Sequence, residues 1–199
     1  MARRRRRRGW RGRRWAWGLT VGLAGAVAWG LHAIPRAGGL PSAWRYALRY
    51  GIDLDLAGAI EQAARAEGLD PELAFRLVAV ESGFRPDAVS PAGALGLTQI
   101  LPSTAAELDS AATPERLLRE RDLNLRLGFR YLRRLLTAYN GDLRLALHAY
   151  NRGPGTVARL RAAGRDVANG YADRVLGPRF GPPYAGTGFL TDSASGAAR

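Results

Sequence analysis

The chain has 199 residues, no cysteine and two histidines, and 30 basic residues against 17 acids give it a formal net charge of +13. Disulfides and thiolate chemistry are excluded, and His32 in an apolar span and His148 in a helical segment form no cluster for a metal, so neither a metal nor another cofactor is expected. Nine arginines fall in the first fourteen residues, and the remainder carries only +4, so the body of the protein is mildly basic.

Residues 1–14 read as a cytoplasmic segment that orients the chain and contacts anionic lipid head groups. A nucleic-acid role is the rival reading, because clustered positive charge attracts phosphates. The position of the arginines directly before an apolar span argues against it, and no nucleic-acid partner is expected. Residues 15–34 are twenty positions without a formal charge, enough to cross a hydrocarbon core of roughly 30 Å at about 1.5 Å per residue. This predicts a transmembrane helix, with Trp15, Trp17 and Trp29 suited to the membrane interfaces and the chain after Pro35 on the outer or periplasmic side. A cleavable signal ending near Ala26-Val27-Ala28 is the alternative, and both imply export to the cell envelope. The uncharged run continues past that cleavage point, which favours the anchor. Arg13-Arg14 and the pair Gly18 and Gly22 are explained by composition.

Residues 35–52 read as a linker with a short helix from Ala43 to Tyr50, which brings Trp44 and Tyr46 to the membrane surface or to the domain that follows. Helical periodicity then dominates. Asp55 to Glu67 has Leu56, Ile60, Ala63 and Ala64 on one side and Gly68 as a stop. A second helix starts at Pro71, which a first turn tolerates, and carries Leu73, Leu77, Val80 and Phe84 as a core-facing stripe. Later segments include Ser103 to Asp109, a short turn opened by Thr113-Pro114, and the long amphipathic run Asp122 to Tyr139. In that run Leu125, Gly128, Phe129, Leu132, Leu135 and Leu136 face inward, while Arg126, Arg130, Arg133 and Arg134 form a solvated face. Asp142 caps a helix from Leu143 to Tyr150 that Asn151 and Gly153 terminate, and Thr156 to Ala163 is another short helix. Residues 53–176 suffice for one core, and 177–199 read as a loosely ordered tail. The fold class is mainly α, with room for a small hairpin between Phe84 and Leu97.

Glu81 falls at the edge of the stripe of the second helix, where desolvation disfavours the charged carboxylate and raises its pKa. Gly83, Pro86, Pro91, Gly93 and Gly96 then turn the backbone into a loop. An acid that stays protonated beside such a loop suits general acid catalysis, although most acids at a helix end are simply solvated.

Three blocks narrow the choice: E-S-G-F-R-P from Glu81, S-P-A-G-A-L-G-L-T-Q-I-L-P-S-T-A from Ser90, and A-L-H-A-Y-N-R-G-P-G-T-V from Ala146. In this order they resemble the catalytic domain of lytic transglycosylases of the soluble-lytic-transglycosylase type, relatives of goose-type lysozyme. The resemblance covers residues 53–176 and implies a lysozyme-like helical domain that cleaves the β-1,4 bond between N-acetylmuramic acid and N-acetylglucosamine in peptidoglycan glycan strands. It implies Glu81 as the catalytic acid and then base, leaving a 1,6-anhydro end. Ser90, Gln99, Tyr150, Asn151 and Tyr171 are its implied substrate-side residues, with the Tyr150 hydroxyl near the acid. Ser82 supports the helix end. Alternatives are a muramidase that uses water, and an inactive glycan-binding domain tethered to the membrane.

The chain departs from the family pattern in places. Thr98 and Leu101 stand where methionines are frequent, which implies a changed sugar-packing wall. The family's late E-T-x-x-Y-V motif has only a partial counterpart in D-V-A-N-G-Y-A-D-R-V from Asp166, in which Tyr171 matches the tyrosine and the glutamate is missing unless Asp166 substitutes for it after a gap.

Overall fold

A computed structural model describes residues 42–177 of the chain. The basic segment, the span 15–34, the linker as far as residue 41 and the tail from 178 onward lie outside the described residues. Among the described residues no helix is long and apolar enough to cross a membrane.

Helix α1 (Ser42–Tyr50) packs against α2 (Leu54–Ala66). Tyr46 stacks on Phe75 with ring centroids 4.1 Å apart, while Trp44 is exposed. The short helix assigned to a linker therefore belongs to the folded unit. Leu69 N donates to Ala64 O at 2.8 Å and Gly68 N to Arg65 O at 3.0 Å, closing α2 through Gly68 at φ 66°. Helix α3 (Pro71–Ser82) starts with proline in its first turn and with Asp70 accepting a hydrogen bond from Glu72 N at 2.8 Å. Gly83, at φ 58°, ends it. Leu73 and Leu77 are fully buried as the stripe predicts, whereas Val80 and Phe84 are half-buried and pack on the core edge.

The chain continues through a loop to α4 (Pro102–Leu108), α5 (Pro114–Arg119) and α6 (Arg121–Ala138). Thr113 and Pro114 open a helix here in place of the expected turn. The Thr113 hydroxyl caps Arg116 N, and proline at the first position needs no partner for a missing N–H. Helix α7 (Leu143–Arg152) begins with Asp142 accepting from Leu145 N at 2.9 Å. It runs past Asn151 because Gly153, at φ 81°, and Pro154 supply the stop; Pro154 then starts α8 (Pro154–Ala162). The last element, α9 (Tyr171–Leu176), packs against α3 and α7. Its six residues follow a stretch without periodicity, so the sequence pattern does not announce it.

Helix α6 divides the interior. Leu125, Phe129, Leu132 and Leu136 join residues of α2, α3, α7 and α9 in the main core. Leu123 and Leu127 join Leu95, Ile100, Ala105 and Leu117 in a second cluster beneath the loop and α4 and α5. Burying each such leucine contributes about 1.5–3 kcal/mol. The two clusters hold the loop between α3 and α4 from opposite sides of α6.

No strand forms in that loop. Two isolated antiparallel bridges, Val89 with Leu95 and Leu95 with Ile100, replace the hairpin for which the sequence leaves room. Pro86 and Pro91 cannot donate to a ladder, and Gly93 and Gly96 turn the chain at positive φ. Side chains replace the missing ladder. Asn124 of α6 is 1% exposed; its Nδ2 donates to Leu95 O at 2.9 Å and Leu117 O at 3.1 Å, and its Oδ1 accepts from Thr98 N at 3.0 Å and Thr98 Oγ1 at 2.8 Å. Gly96 and Gly128 permit this close approach: a Cβ on Gly96 would lie 2.3 Å from Asn124 Nδ2, and one on Gly128 would lie 2.2 Å from Thr98 Oγ1.

Candidate active site

Glu81 is the penultimate residue of α3 and is partly buried. Burial raises its pKa from 4.5 to about 7, opposed by a hydrogen bond from the Tyr171 hydroxyl and by the positive charge of Arg174. The Tyr171 hydroxyl donates to Glu81 Oε1. Arg174 lies one turn further along α9, its guanidinium 5.6 Å from the Tyr171 ring centroid. The preceding elements thus deliver a desolvated carboxyl, and α9 delivers the groups that stabilise its ionised form.

A cleft of about 480 Å³ lies alongside, and its walls include Gln99, Leu101, Tyr131, Tyr150, Asn151 and Pro154. Tyr150 projects from α7 and donates to Thr98 O at 2.8 Å. Burial first, and the negative charge of Glu81 second, raise its pKa well above 10, so the phenol stays protonated and acts as a donor. Glu81 is not among the residues lining the cleft; the electrostatic influence on Tyr150 is what relates the two. Gln99 adopts φ 49°, and its amide nitrogen donates to Ala88 O at 3.1 Å and Gly96 O at 2.9 Å. Asn151 Oδ1 accepts from Asn169 at 2.8 Å.

Of the residues singled out by sequence, Gln99, Tyr150 and Asn151 share the cleft, and Glu81 and Tyr171 form a pair beside it. Tyr171 is 1% exposed, so it is the partner of the acid and offers no surface to a substrate. Its hydroxyl, and not that of Tyr150, makes the hydrogen bond to Glu81. Ser90 lies apart from the cleft lining. Its Oγ accepts from Ala94 N at 3.0 Å, closing the turn that Gly93 requires. Ser82 donates to Leu97 O at 2.9 Å, tying the end of α3 to the loop. Among the described residues no group of acids and histidines is placed to hold a metal.

The two departures separate. Leu101 lines the cleft, but Thr98 is fully buried against α6, so its hydroxyl fixes the loop and it is not part of the cleft lining. Asp166 is exposed, accepts from Ala168 N at 2.8 Å within its own turn and is not among the residues lining the cleft. The supporting residues Asn124, Asn169 and Arg174 escape the sequence reading. For Asn124 a signal exists, since it is a polar residue between Leu123 and Leu125 on a helix whose leucines face inward.

A helical bundle that presses one desolvated carboxyl against a tyrosine beside a cleft defines a lysozyme-like domain. The chain belongs to the Transglycosylase SLT domain family, whose model matches residues 58–169. It is 33% identical over 124 residues to the membrane-bound lytic murein transglycosylase C of Cronobacter sakazakii (strain ATCC BAA-894), covering 56% of this chain and 34% of that protein. Among solved structures it resembles an inactive glutamate-to-glutamine mutant of the lytic transglycosylase Slt from Pseudomonas aeruginosa, with 29% identity, a TM-score of 0.50 and coverage of 78% of this chain and 26% of that one. The 70 kDa soluble lytic transglycosylase of Escherichia coli gives 27% identity, a TM-score of 0.52 and coverage of 66% and 24%. The chain therefore spans about a third of the curated relative's length and about a quarter of each solved one.

Proposed function

We propose that this chain is a peptidoglycan lytic transglycosylase that cleaves the β-1,4 bond between N-acetylmuramic acid and N-acetylglucosamine. Glu81, protonated, gives its proton to the bridging oxygen as the bond from C1 to that oxygen breaks. The substrate's acetamido group stabilises the cationic C1. The carboxylate of Glu81 then takes the proton of the muramic acid 6-hydroxyl as that oxygen bonds to C1, so the acid is regenerated and a 1,6-anhydro end is left. Tyr150, Asn151 and Gln99 contact the sugar from the cleft wall, while Tyr171 holds the carboxyl.

The observation that carries this reading is that one carboxyl among the described residues has a raised pKa and is paired with a buried phenol. A glycosidase that works with two carboxylates needs a second acid facing the bond. Among the described residues the carboxyl that lines the cleft is Glu107, which pairs with Arg134 at 3.5 Å. The names of the relatives point to the same reaction, and the membrane-bound one supports a retained anchor at residues 15–34, with the domain on the outer or periplasmic side of the cytoplasmic membrane.

The test is a digest of purified sacculi with product analysis by mass spectrometry. Anhydro ends from the wild-type chain and no cleavage by Glu81→Gln are expected. Reducing ends would convert the reading to a muramidase, and undiminished cleavage by Glu81→Gln would remove that residue from the chemistry.

A further inference from the structure

Asn169, on the loop before α9, joins three groups that the sequence leaves unconnected. Its Oδ1 accepts from Tyr171 N at 3.2 Å and faces His148 Nδ1 at 3.3 Å, while its Nδ2 donates to Asn151 Oδ1 at 2.8 Å. One short side chain thus ties two positions of α7, His148 and the cleft-lining Asn151, to the first residue of α9, whose tyrosine holds Glu81. Gly170, at φ 75°, turns the chain between Asn169 and Tyr171 and provides no side-chain cap of its own. The amide of Asn151 has two orientations of nearly equal shape, and the donor on Asn169 selects the one with its oxygen toward Asn169. The NH2 of Asn151 is then the end left for a ligand in the cleft.

We infer that Asn169 is a positioning residue that sets the amide of Asn151 for the sugar and, through Tyr171 N, the hydroxyl that holds the acid. The inference rests on the transglycosylase reading of this site. Each link has its own kinetic signature. Loss of the link to Asn151 weakens ground-state and transition-state binding together and raises KM. Loss of the link to Tyr171 frees the phenol from Glu81, which lowers kcat and moves the alkaline limb of the rate profile to higher pH, because that hydroxyl stabilises the carboxylate.

Two variants separate the links. Asn169→Ala removes both. Asn169→Ser keeps an oxygen able to accept from the backbone N–H two residues on, as serine does in turns, but is too short to reach Asn151. With soluble glycan strands as substrate, Asn169→Ala should lose about tenfold in kcat, gain about tenfold in KM and show the shifted limb. Asn169→Ser should recover kcat and the limb while KM stays raised. Wild-type kinetics in a folded Asn169→Ala variant would overturn the inference, as would a Ser variant that recovers KM or one that recovers nothing. Should Asn169→Ala fail to fold, the Ser variant decides alone by its KM against kcat. A wild-type chain that cleaves no glycan would instead sink the transglycosylase reading.

Discussion

Glu81→Gln should make the protein more stable in alkali while leaving its stability in acid nearly unchanged. In the folded state the carboxyl titrates near 7, against an ordinary value of 4.5. Between those pH values the folded chain holds a proton that the unfolded chain has released, so stability falls as pH rises. The stabilising effect of the protonated side chain is complete below about 4.5 and lost as pH passes 7. Its size follows from carrying the titration from 4.5 to about 7 at 1.36 kcal/mol per pH unit, or about 3 kcal/mol. Glutamine never ionises and keeps an oxygen for the Tyr171 hydroxyl, so it escapes that loss. Urea unfolding of both forms at pH 4, 6 and 8 checks this, reading the difference in extrapolated stability. The variant should gain up to about 3 kcal/mol on the wild type between pH 4 and pH 8. A difference that stays constant with pH would refute the claim that Glu81 is held in a desolvating site.

Tyr171→Phe removes the hydroxyl that favours ionised Glu81, so the acid's pKa should rise further and the alkaline limb of the rate profile should move up by about one to two pH units. A downward shift, or none, would show that the hydroxyl does not act on the acid. Asn124→Ala strands Leu95 O, Leu117 O and Thr98 N in the interior. It should cost about 2–4 kcal/mol in urea unfolding, and a loss below about 1 kcal/mol would mean that the loop is held by apolar packing.

How much of this was legible in the sequence depends on the range of each interaction. Helix starts at Pro71 and Asp142 and stops at Gly68 and Gly153 are local events, written in neighbouring residues, and the structure has them. The raised acid was also legible, since a carboxyl at the edge of an apolar stripe is desolvated by its own helix and whatever covers that stripe. What sequence could not supply was the pairing across long separations. Tyr171 meets Glu81 from 90 positions away, and Thr98 meets Asn124 from 26. Neither pairing leaves a periodic trace. Thr98 therefore looked like a changed wall when it is a buried tie, and Asp166 looked like a replacement acid when it closes its own turn.

The pairing that sequence missed is also what makes one carboxyl sufficient for the proposed reaction. Desolvation alone would give a willing proton holder that resists becoming a carboxylate, and a cycle that needs Glu81 first as acid and then as base would stall in its second half. The hydroxyl of Tyr171 and the charge of Arg174 act against burial and bring the group to about 7. At neutral pH both protonation states are then close in free energy, which is the condition under which one group donates and accepts with similar ease. Both counterweights arrive on α9, a helix of six residues at the end of the domain. Its packing against α3 and α7 is therefore more than closure of the core, because a displacement of α9 would leave the acid buried without the groups that let it ionise.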